Sequence, residues 1–191
     1  MWGKVDFSDE SSVELHPKRR QYCRRPTGTR LNPRYTQKTV KFGGGKIMVW
    51  GFIRHGGGRK ICKVDGNIDS IKYQQILASH YIPEHKRGQI FQQYGAPCHT
   101  SVSTKKFLQQ KKIKVLEKWP AQSPDMNIIE HVWAKMKEDT WKTKPKNLDD
   151  LWKACEDAFY AIPDAFINQL YESLPSRMST VIQAKGSHSR Y

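Results

Sequence analysis

Two acidic sites, the pair at residues 9 and 10 and the glutamate at residue 130, have the setting that carboxylates need for metal chemistry. Asp9 and Glu10 follow the strand-like segment KVDFS at residues 4–8, and a strand end holds a carboxylate rigidly while leaving it open to solvent. Glu130 lies among apolar residues at helical spacing, which places it at the rim of a buried helix face. Carboxylate oxygens are the hard ligands that Mg²⁺ prefers. Taken alone, each position is also typical of a charged turn or a half-exposed helix glutamate.

The segment around Glu130 has the composition of a shaped turn that leads into a helix. Residues 119–133 read WPAQSPDMNIIEHVW, and the prolines at 120 and 124 exclude regular structure because each lacks an N–H and restricts the residue before it. Apolar side chains then recur at helical spacing at Met126, Ile129, Val132, Trp133 and Met136. This spacing predicts a helix with one buried face, which carries Glu130 on a rigid element.

The remaining elements predict an α+β domain with a mixed sheet. Strand patterns occur at residues 4–8, 13–16, 47–53, 60–64, 89–93 and 113–116, with an acidic turn at 9–11 between the first two. Helical patterns occur at residues 69–82, from 99 to about 111, after an Asn147 cap, and from Asp164 onward with a break at Pro175. The strand–helix–strand order at 89–116 implies a parallel pairing.

The chain carries a large excess of positive charge. Its 191 residues contain 33 Lys+Arg against 18 Asp+Glu, which gives a net charge of +15 and a pI near 9.7. Such an excess favours a polyanionic partner, with nucleic acid as the leading candidate. The segment 17–38 has no acid, and its cations are Lys18, Arg19, Arg20, Arg24, Arg25, Arg30, Arg34 and Lys38. We predict that this basic loop contacts a phosphate backbone; a merely solvated loop is the alternative.

Several function classes are disfavoured by what the sequence lacks. The four cysteines show no CxxC spacing, which argues against a zinc ribbon or a redox motif. The glycines at 43–45 are not followed by the GK[ST] of a nucleotide-binding loop. No signal peptide and no run of 18 apolar residues is present, so we expect no membrane association and a soluble, intracellular protein with reduced thiols.

Four motifs, in order, resemble the catalytic domain of Tc1/mariner-type transposases, and the Tc1 branch in particular. They are FSDES at 7–11, VKFGGGKIMVWG at 40–51, FQQYGAPCHT at 91–100 and WPAQSPDMNIIEHVW at 119–133. The resemblance covers almost the whole chain. It implies one RNase H-like domain over residues 1–191, with a mixed sheet flanked by helices and a helical C-terminal part at about 147–185. It also implies DNA as partner, a possible homodimer and a nuclear location. We expect the family's N-terminal helix-turn-helix modules to be absent from this chain.

The resemblance further implies a set of three carboxylates that holds two Mg²⁺ or Mn²⁺ ions for phosphoryl transfer. The first carboxylate position matches Asp9 and the third matches Glu130. The second departs from the family, because Tyr94-Gly95 stands where the family has Asp-Asn. A phenol, with a pKa near 10 in water, is a poor substitute for a carboxylate. We therefore predict weak metal binding at most.

Smaller departures surround this position. Ile128 stands where the Tc1 branch usually has proline, and Lys118 is the predicted single-residue insertion between Tyr94 and Glu130. The spare acids Asp65, Asp69 and Asp125 do not match the missing position. The preferred interpretation is a degenerate Tc1-like catalytic domain. The alternatives are a non-catalytic protein that binds nucleic acid or another partner through the same fold, and a cellular RNase H-type nuclease. Metal-dependent strand cleavage distinguishes the Tc1-like catalytic domain from the non-catalytic binding protein.

Overall fold

The computed structural model describes residues 2–17, 26–27, 44–117, 119 and 126–183. Its strands are β1 (Val5–Glu14), β2 (Lys46–Ile53), β3 (Arg59–Val64), β4 (Ile90–Gln92) and β5 (Lys114–Val115). Within the described residues they form a five-stranded sheet in the order β3-β2-β1-β4-β5. The pairs β1–β2 and β2–β3 are antiparallel, whereas β1–β4 and β4–β5 are parallel. The predicted mixed sheet and its parallel unit are confirmed.

The first strand is longer than the sequence indicated. The prediction of two short strands with an acidic turn at 9–11 is wrong, because β1 runs without interruption for ten residues. It pairs with β2 from Phe7 opposite Ile53 to Glu14 opposite Lys46. The continuous apolar run of β2 provides a partner along this whole length. The backbone N–H and C=O groups of the polar segment 9–11 therefore form ladder hydrogen bonds as well. Asp9 therefore lies within a strand and not at its end.

Helices connect and cover the strands. They are α1 (Ser70–Ile76), α2 (Pro97–Thr100), α3 (Val102–Gln110), α4 (Ile129–Lys142), α5 (Leu148–Ala161) and α6 (Asp164–Gln183). The side chain of Asn147 caps α5 by accepting from the backbone N–H of Asp150 at 2.8 Å. Within the part of the chain that the structure describes, none of the helices has the length and apolar character that a membrane span requires.

The last helix passes through a proline. We expected Pro175 to break it, but α6 is continuous from Asp164 to Gln183 with Pro175 inside. A proline in a helix removes one hydrogen bond and crowds the preceding turn. Here the turns on both sides are held by buried side chains, among them Tyr171, Leu174 and Arg177. Their packing outweighs the local cost of the proline.

The sheet separates two hydrophobic clusters. Alternate residues of β1 and β2, such as Phe7 and Val49, pack with α4, α5 and α6, whereas Trp50 and Phe52 face α1 and its neighbours. This alternation follows from the two-residue period of a strand. Phe7, Val49, Trp50, Phe91 and Ile129 are fully buried, and Val115 on the short strand β5 is half-buried.

Gly51 allows α4 to approach the sheet beside Asp9. A Cβ atom at Gly51 would lie 2.7 Å from the carbonyl oxygen of Lys60 and 2.8 Å from the ring of Trp133. We expect Gly51→Ala to lower the free energy of unfolding by about 1–3 kcal/mol through overpacking. The matched control is Gly95→Ala, because a Cβ atom there meets nothing within 4 Å. Urea titrations of both variants measure the difference, and equal midpoints would contradict this account.

Candidate active site

Asp9 lies on the face of β1 that packs against α4. It is opposite Gly51 in the β1–β2 ladder, and it is 9% exposed. Burial, followed by repulsion from Glu130 and from Glu10, raises the pKa of Asp9 to about 8. Trp133 and a backbone hydrogen bond act in the opposite direction. Because like charge and burial both disfavour its ionised form, Asp9 is a carboxylate whose charge a bound cation would stabilise.

Glu130 stands on the first turn of α4, and its charge acts on Asp9. The apolar face predicted for this helix is buried, with Ile129, Val132, Trp133 and Met136 as its members. The turn before the helix is tied to β1, since the side-chain amide of Asn127 donates to the carbonyl oxygen of Ser8 at 3.5 Å. The structure thus brings the first and third predicted carboxylates together, although they are far apart in the sequence.

Tyr94 follows the end of β4, the parallel neighbour of β1. Two hydrogen bonds fix β4 against β1 just before this point. The hydroxyl of Ser8 donates to the carbonyl oxygen of Gln92 at 2.7 Å, and the backbone N–H of Ser8 donates to the side-chain oxygen of Gln92 at 3.3 Å. Tyr94 is half-buried. The residue at the second predicted position therefore leaves the sheet next to the strand that carries Asp9.

His99 joins the Tyr94 segment to β1. Its Nδ1 donates to the carbonyl oxygen of Tyr94 at 3.0 Å, and its Nε2 lies 3.2 Å from a carboxylate oxygen of Glu10. The imidazole is buried and packs on the ring of Tyr73, with 4.1 Å between the ring centroids. Tyr73 in turn donates to Gln93 at 2.8 Å. This network holds the chain around Tyr94 in one position relative to Asp9.

Sequence reasoning named Glu10 only as part of an acidic turn and did not foresee its contact with His99. Both lie in quoted motifs, Glu10 in FSDES and His99 in FQQYGAPCHT, which is the signal that could have drawn attention to them. Their contact is invisible to any local pattern, because 89 positions of sequence separate them. Adjacent strand residues point to opposite faces of a sheet, so Glu10 meets His99 on one face while Asp9 meets α4 on the other.

The donors present fit one divalent cation better than two. Asp9 and Glu130 offer two oxygen ligands whose mutual repulsion a cation would relieve. Within the described ranges, no group of three or more His, Cys, Asp and Glu side chains is placed to hold a metal ion. Of the spare acids, Asp69 accepts a hydrogen bond from the backbone N–H of Lys72 at the start of α1, and Asp125 lies outside the described residues.

The residues predicted to bind DNA belong to the part of the chain that the structure does not describe. Arg19, Arg20, Arg24, Arg25, Arg30, Arg34 and Lys38 lie outside the described residues, as does Lys118, the predicted insertion. Their role remains a prediction from composition. Ile128, the other departure, is fully buried immediately before α4.

Comparison with known proteins identifies the family. A family profile described as "DDE superfamily endonuclease" matches residues 4–152. The Tc1 transposase of Caenorhabditis elegans is 34% identical over 195 residues, which cover 100% of this chain and 71% of that protein. The chain belongs to the Tc1 group of DDE transposases.

Solved structures agree with this assignment at the level of fold. In the pre-cleavage Mos1 transpososome, a chain superposes on this transposase domain with a TM-score of 0.81 at 21% identity, covering 99% of this domain and 58% of that chain. The Mos1 transposase catalytic domain in a structure with raltegravir and Mn gives a TM-score of 0.70 at 19% identity, covering 100% and 86%. The predicted RNase H-like fold is confirmed. The assignment of Asp9, Tyr94 and Glu130 to the three carboxylate positions stays a prediction.

Proposed function

We propose that this transposase domain binds DNA but does not cleave it at a meaningful rate. The proposal depends on one observation: Tyr94 leaves β4 beside β1, where the resemblance places the second carboxylate. Asp9 and Glu130 are the two carboxylates that remain near each other. A site that holds two dications loses much of its affinity when one of three negative ligands is neutral.

The metal chemistry that remains is limited by these ligands. The Mos1 catalytic domain, which shares the fold, is described in structures with Mn, and this supports Mg²⁺ or Mn²⁺ as the ion for the present chain. A pair of such ions stabilises the attacking and the leaving oxygens of a phosphoryl transfer. Asp9 and Glu130 would hold one ion, and weakly.

We also propose, from the family, that residues 1–191 form one catalytic domain, that the protein is nuclear and that it forms a homodimer.

A second candidate function follows from the same tyrosine. A protein that retains the fold and the positive charge but has lost the second carboxylate could act by binding nucleic acid or another partner, without catalysis. Both candidates include DNA binding. They differ in whether any cleavage remains, and in whether a restored carboxylate recovers it.

The test uses a pre-nicked duplex and a titration with Mn²⁺. We expect the unmodified chain to bind the duplex and to leave it uncut, with weak saturation by Mn²⁺, because Tyr94 supplies no charge. The control is Asp9→Ala, which removes a remaining carboxylate and should abolish the weak binding of Mn²⁺. Robust cleavage by the unmodified chain that disappears in Asp9→Ala would overturn the proposal and show that another group replaces the missing ligand.

The predicted DNA-binding loop is tested by charge removal. We expect the combined replacement of Arg19, Arg20, Arg24 and Arg25 by alanine to weaken duplex binding and to flatten its dependence on salt. Each neutralised phosphate contributes about 0.9 to the log–log slope, so the change in slope reports how many phosphates the variant no longer neutralises. Fluorescence anisotropy at several KCl concentrations measures it. A slope that stays unchanged in the variant would place the DNA contact elsewhere on the protein.

A further inference from the structure

A second stretch of the chain is basic and free of acids. No aspartate or glutamate stands between Glu84 and Glu117. The cations in this stretch are Lys86, Arg87, Lys105, Lys106, Lys111, Lys112 and Lys114. The stretch is separate from the basic loop at 17–38, and, unlike the cations of that loop, all seven lie in the described part of the chain.

Strand register gathers most of these cations at one end of the sheet. Val5 of β1 is opposite Ile90 of β4, and Ile90 is opposite Lys114 of β5. Since these three strands are parallel, the residues just before them lie side by side, with neighbouring strands about 4.8 Å apart. We call this set the basic rim. Its members are Lys4, Lys86, Arg87, Lys111, Lys112 and Lys114.

The charges of the basic rim are exposed and available. All six side chains are exposed, and among the described residues none of them forms an ion pair with a carboxylate. Lys111 lies over the ring of Phe107, with Nζ 6.0 Å from the ring centroid. Like charges gathered at one end of a sheet repel one another, so a polyanion would relieve the repulsion.

The turn that carries Lys86 and Arg87 is anchored to the sheet. Arg54 donates to the carbonyl oxygen of Glu84 at 2.9 Å and forms a buried ion pair with Asp6, in which the shorter contact is 2.6 Å. The hydroxyl of Tyr81 lies 3.0 Å from Asp6 and 3.1 Å from Nδ1 of His85. The backbone just before the two rim residues is therefore fixed, which favours a preformed surface.

The basic rim lies away from the candidate active site. It lies at the starts of β1, β4 and β5, whereas Tyr94 follows the opposite end of β4. The four residue steps from Ile90 at the start of β4 to Tyr94 span roughly 13 Å at about 3.3 Å per residue, and Lys86 and Arg87 precede Ile90, in the turn before β4. A phosphate backbone on the rim would consequently be a different segment from the one at Asp9 and Glu130.

We propose that the basic rim is a second binding surface, which takes the phosphate backbone of duplex DNA irrespective of base sequence. The choice of DNA as the polyanion rests on the proposed function; the location and the charge do not. Five of the six cations are lysines, which act on phosphate as point charges and carry no rigid donor pattern for reading bases. A rim contact would hold a duplex that the active site does not engage.

The experiment compares two variants that lose equal charge. The rim variant is Lys86→Gln, Arg87→Gln, Lys111→Gln and Lys112→Gln. The control variant is Lys63→Gln, Lys144→Gln, Lys146→Gln and Lys153→Gln. Both remove four exposed cations, and each includes one lysine with positive φ, at 56° for Lys112 and 54° for Lys144. Circular dichroism and thermal unfolding establish that both variants fold.

Binding of a duplex of arbitrary sequence is followed by fluorescence anisotropy against KCl. We expect the log–log slope of the rim variant to fall by about 2 or more, equivalent to two or more neutralised phosphates at about 0.9 each. The control variant should keep the slope of the unmodified chain. Acetylation of surface lysines, read by mass spectrometry, should show protection of Lys86, Lys111 and Lys112 when the duplex is present.

The outcomes separate this inference from the proposed function. Equal slopes in the rim variant and the unmodified chain, with no protection of the rim lysines, would overturn the rim and leave DNA binding by the domain intact. An equal loss of slope in both variants would show a general charge effect and would also overturn the rim. Lysines that only keep the sheet edge from aggregating would leave the slope unchanged, and that result overturns the rim as well. Absence of duplex binding by the unmodified chain would refute both the rim and the proposed function.

Discussion

Replacing Tyr94 by aspartate should tighten Mn²⁺ binding by about 100-fold or more. If the proposed assignment of the three positions holds, the substitution supplies a third negative ligand beside Asp9 and Glu130. Loss of a residue that only supports a metal ligand already lowers metal affinity ~10- to 100-fold. The fold should tolerate the change, because Tyr94 lies beyond β4 and is half-buried. Isothermal titration calorimetry with Mn²⁺ measures the effect.

The matched control is Tyr94→Asn, which has nearly the size of aspartate and lacks its charge. It should bind Mn²⁺ as weakly as the unmodified chain does. If asparagine and aspartate improve binding equally, the gain comes from removal of the phenol ring and not from a restored ligand, and the interpretation of this position is wrong.

Cleavage of the pre-nicked duplex should return in part in Tyr94→Asp. Complete recovery requires the new carboxylate to be correctly positioned, since a displacement of about 1 Å can cost ~10²-fold. His99 limits such a displacement, because it holds the carbonyl oxygen of residue 94 at 3.0 Å. Adding Gly95→Asn and deleting Lys118 should raise the rate further. Tight Mn²⁺ binding without any cleavage in all of these variants would favour the non-catalytic candidate.

The second large effect is a loss of stability as the pH rises through the range in which Asp9 titrates. The pKa of Asp9 is raised in the folded protein to about 8 from 3.8, so the folded state keeps a proton that the unfolded state has released. Stability must therefore fall between about pH 4 and pH 8 in the absence of metal. Across that window, each increase of one pH unit lowers the free energy of unfolding by up to about 1.4 kcal/mol.

Asp9→Asn should remove this dependence. We expect the variant to exceed the unmodified chain in free energy of unfolding by on the order of 3 kcal/mol at pH 8 and to differ little at pH 4, because asparagine stays neutral throughout. Glu130→Gln should give a partial effect, since Glu130 is the second cause of the raised pKa after burial. Urea titrations at several pH values, with Asp65→Asn as an exposed control, measure these differences. Parallel pH profiles for Asp9→Asn and the unmodified chain would contradict the account.

The class of fold and the family can both be read from local patterns in the amino-acid sequence. The apolar face from Ile129 to Met136 recurs at helical spacing, and the run from Ile47 to Ile53 is continuous, so each element's burial is implied by its own periodicity. The motifs at 7–11, 91–100 and 119–133 carry the resemblance in order, and the family comparison bears it out. These features are local, so they are recognisable without knowledge of the fold.

Local reasoning failed where packing or pairing between distant segments determined the outcome. The acidic segment at 9–11 has the composition of a turn, yet it is strand because β2 lies opposite it. Pro175 has the chemistry of a helix breaker, yet α6 continues because buried neighbours hold both of its turns. In each case, interactions from other parts of the chain outweighed a local preference.

Assembly of the candidate site depends on the folded chain. Folding places Glu130 close enough to Asp9 to raise the pKa of that carboxyl, and it places His99 between Glu10 and the backbone of Tyr94. It also gathers the cations of the basic rim, because parallel register aligns the starts of β1, β4 and β5. Burial and charge–charge distances arise only when the chain is folded, so no sequence pattern contains them.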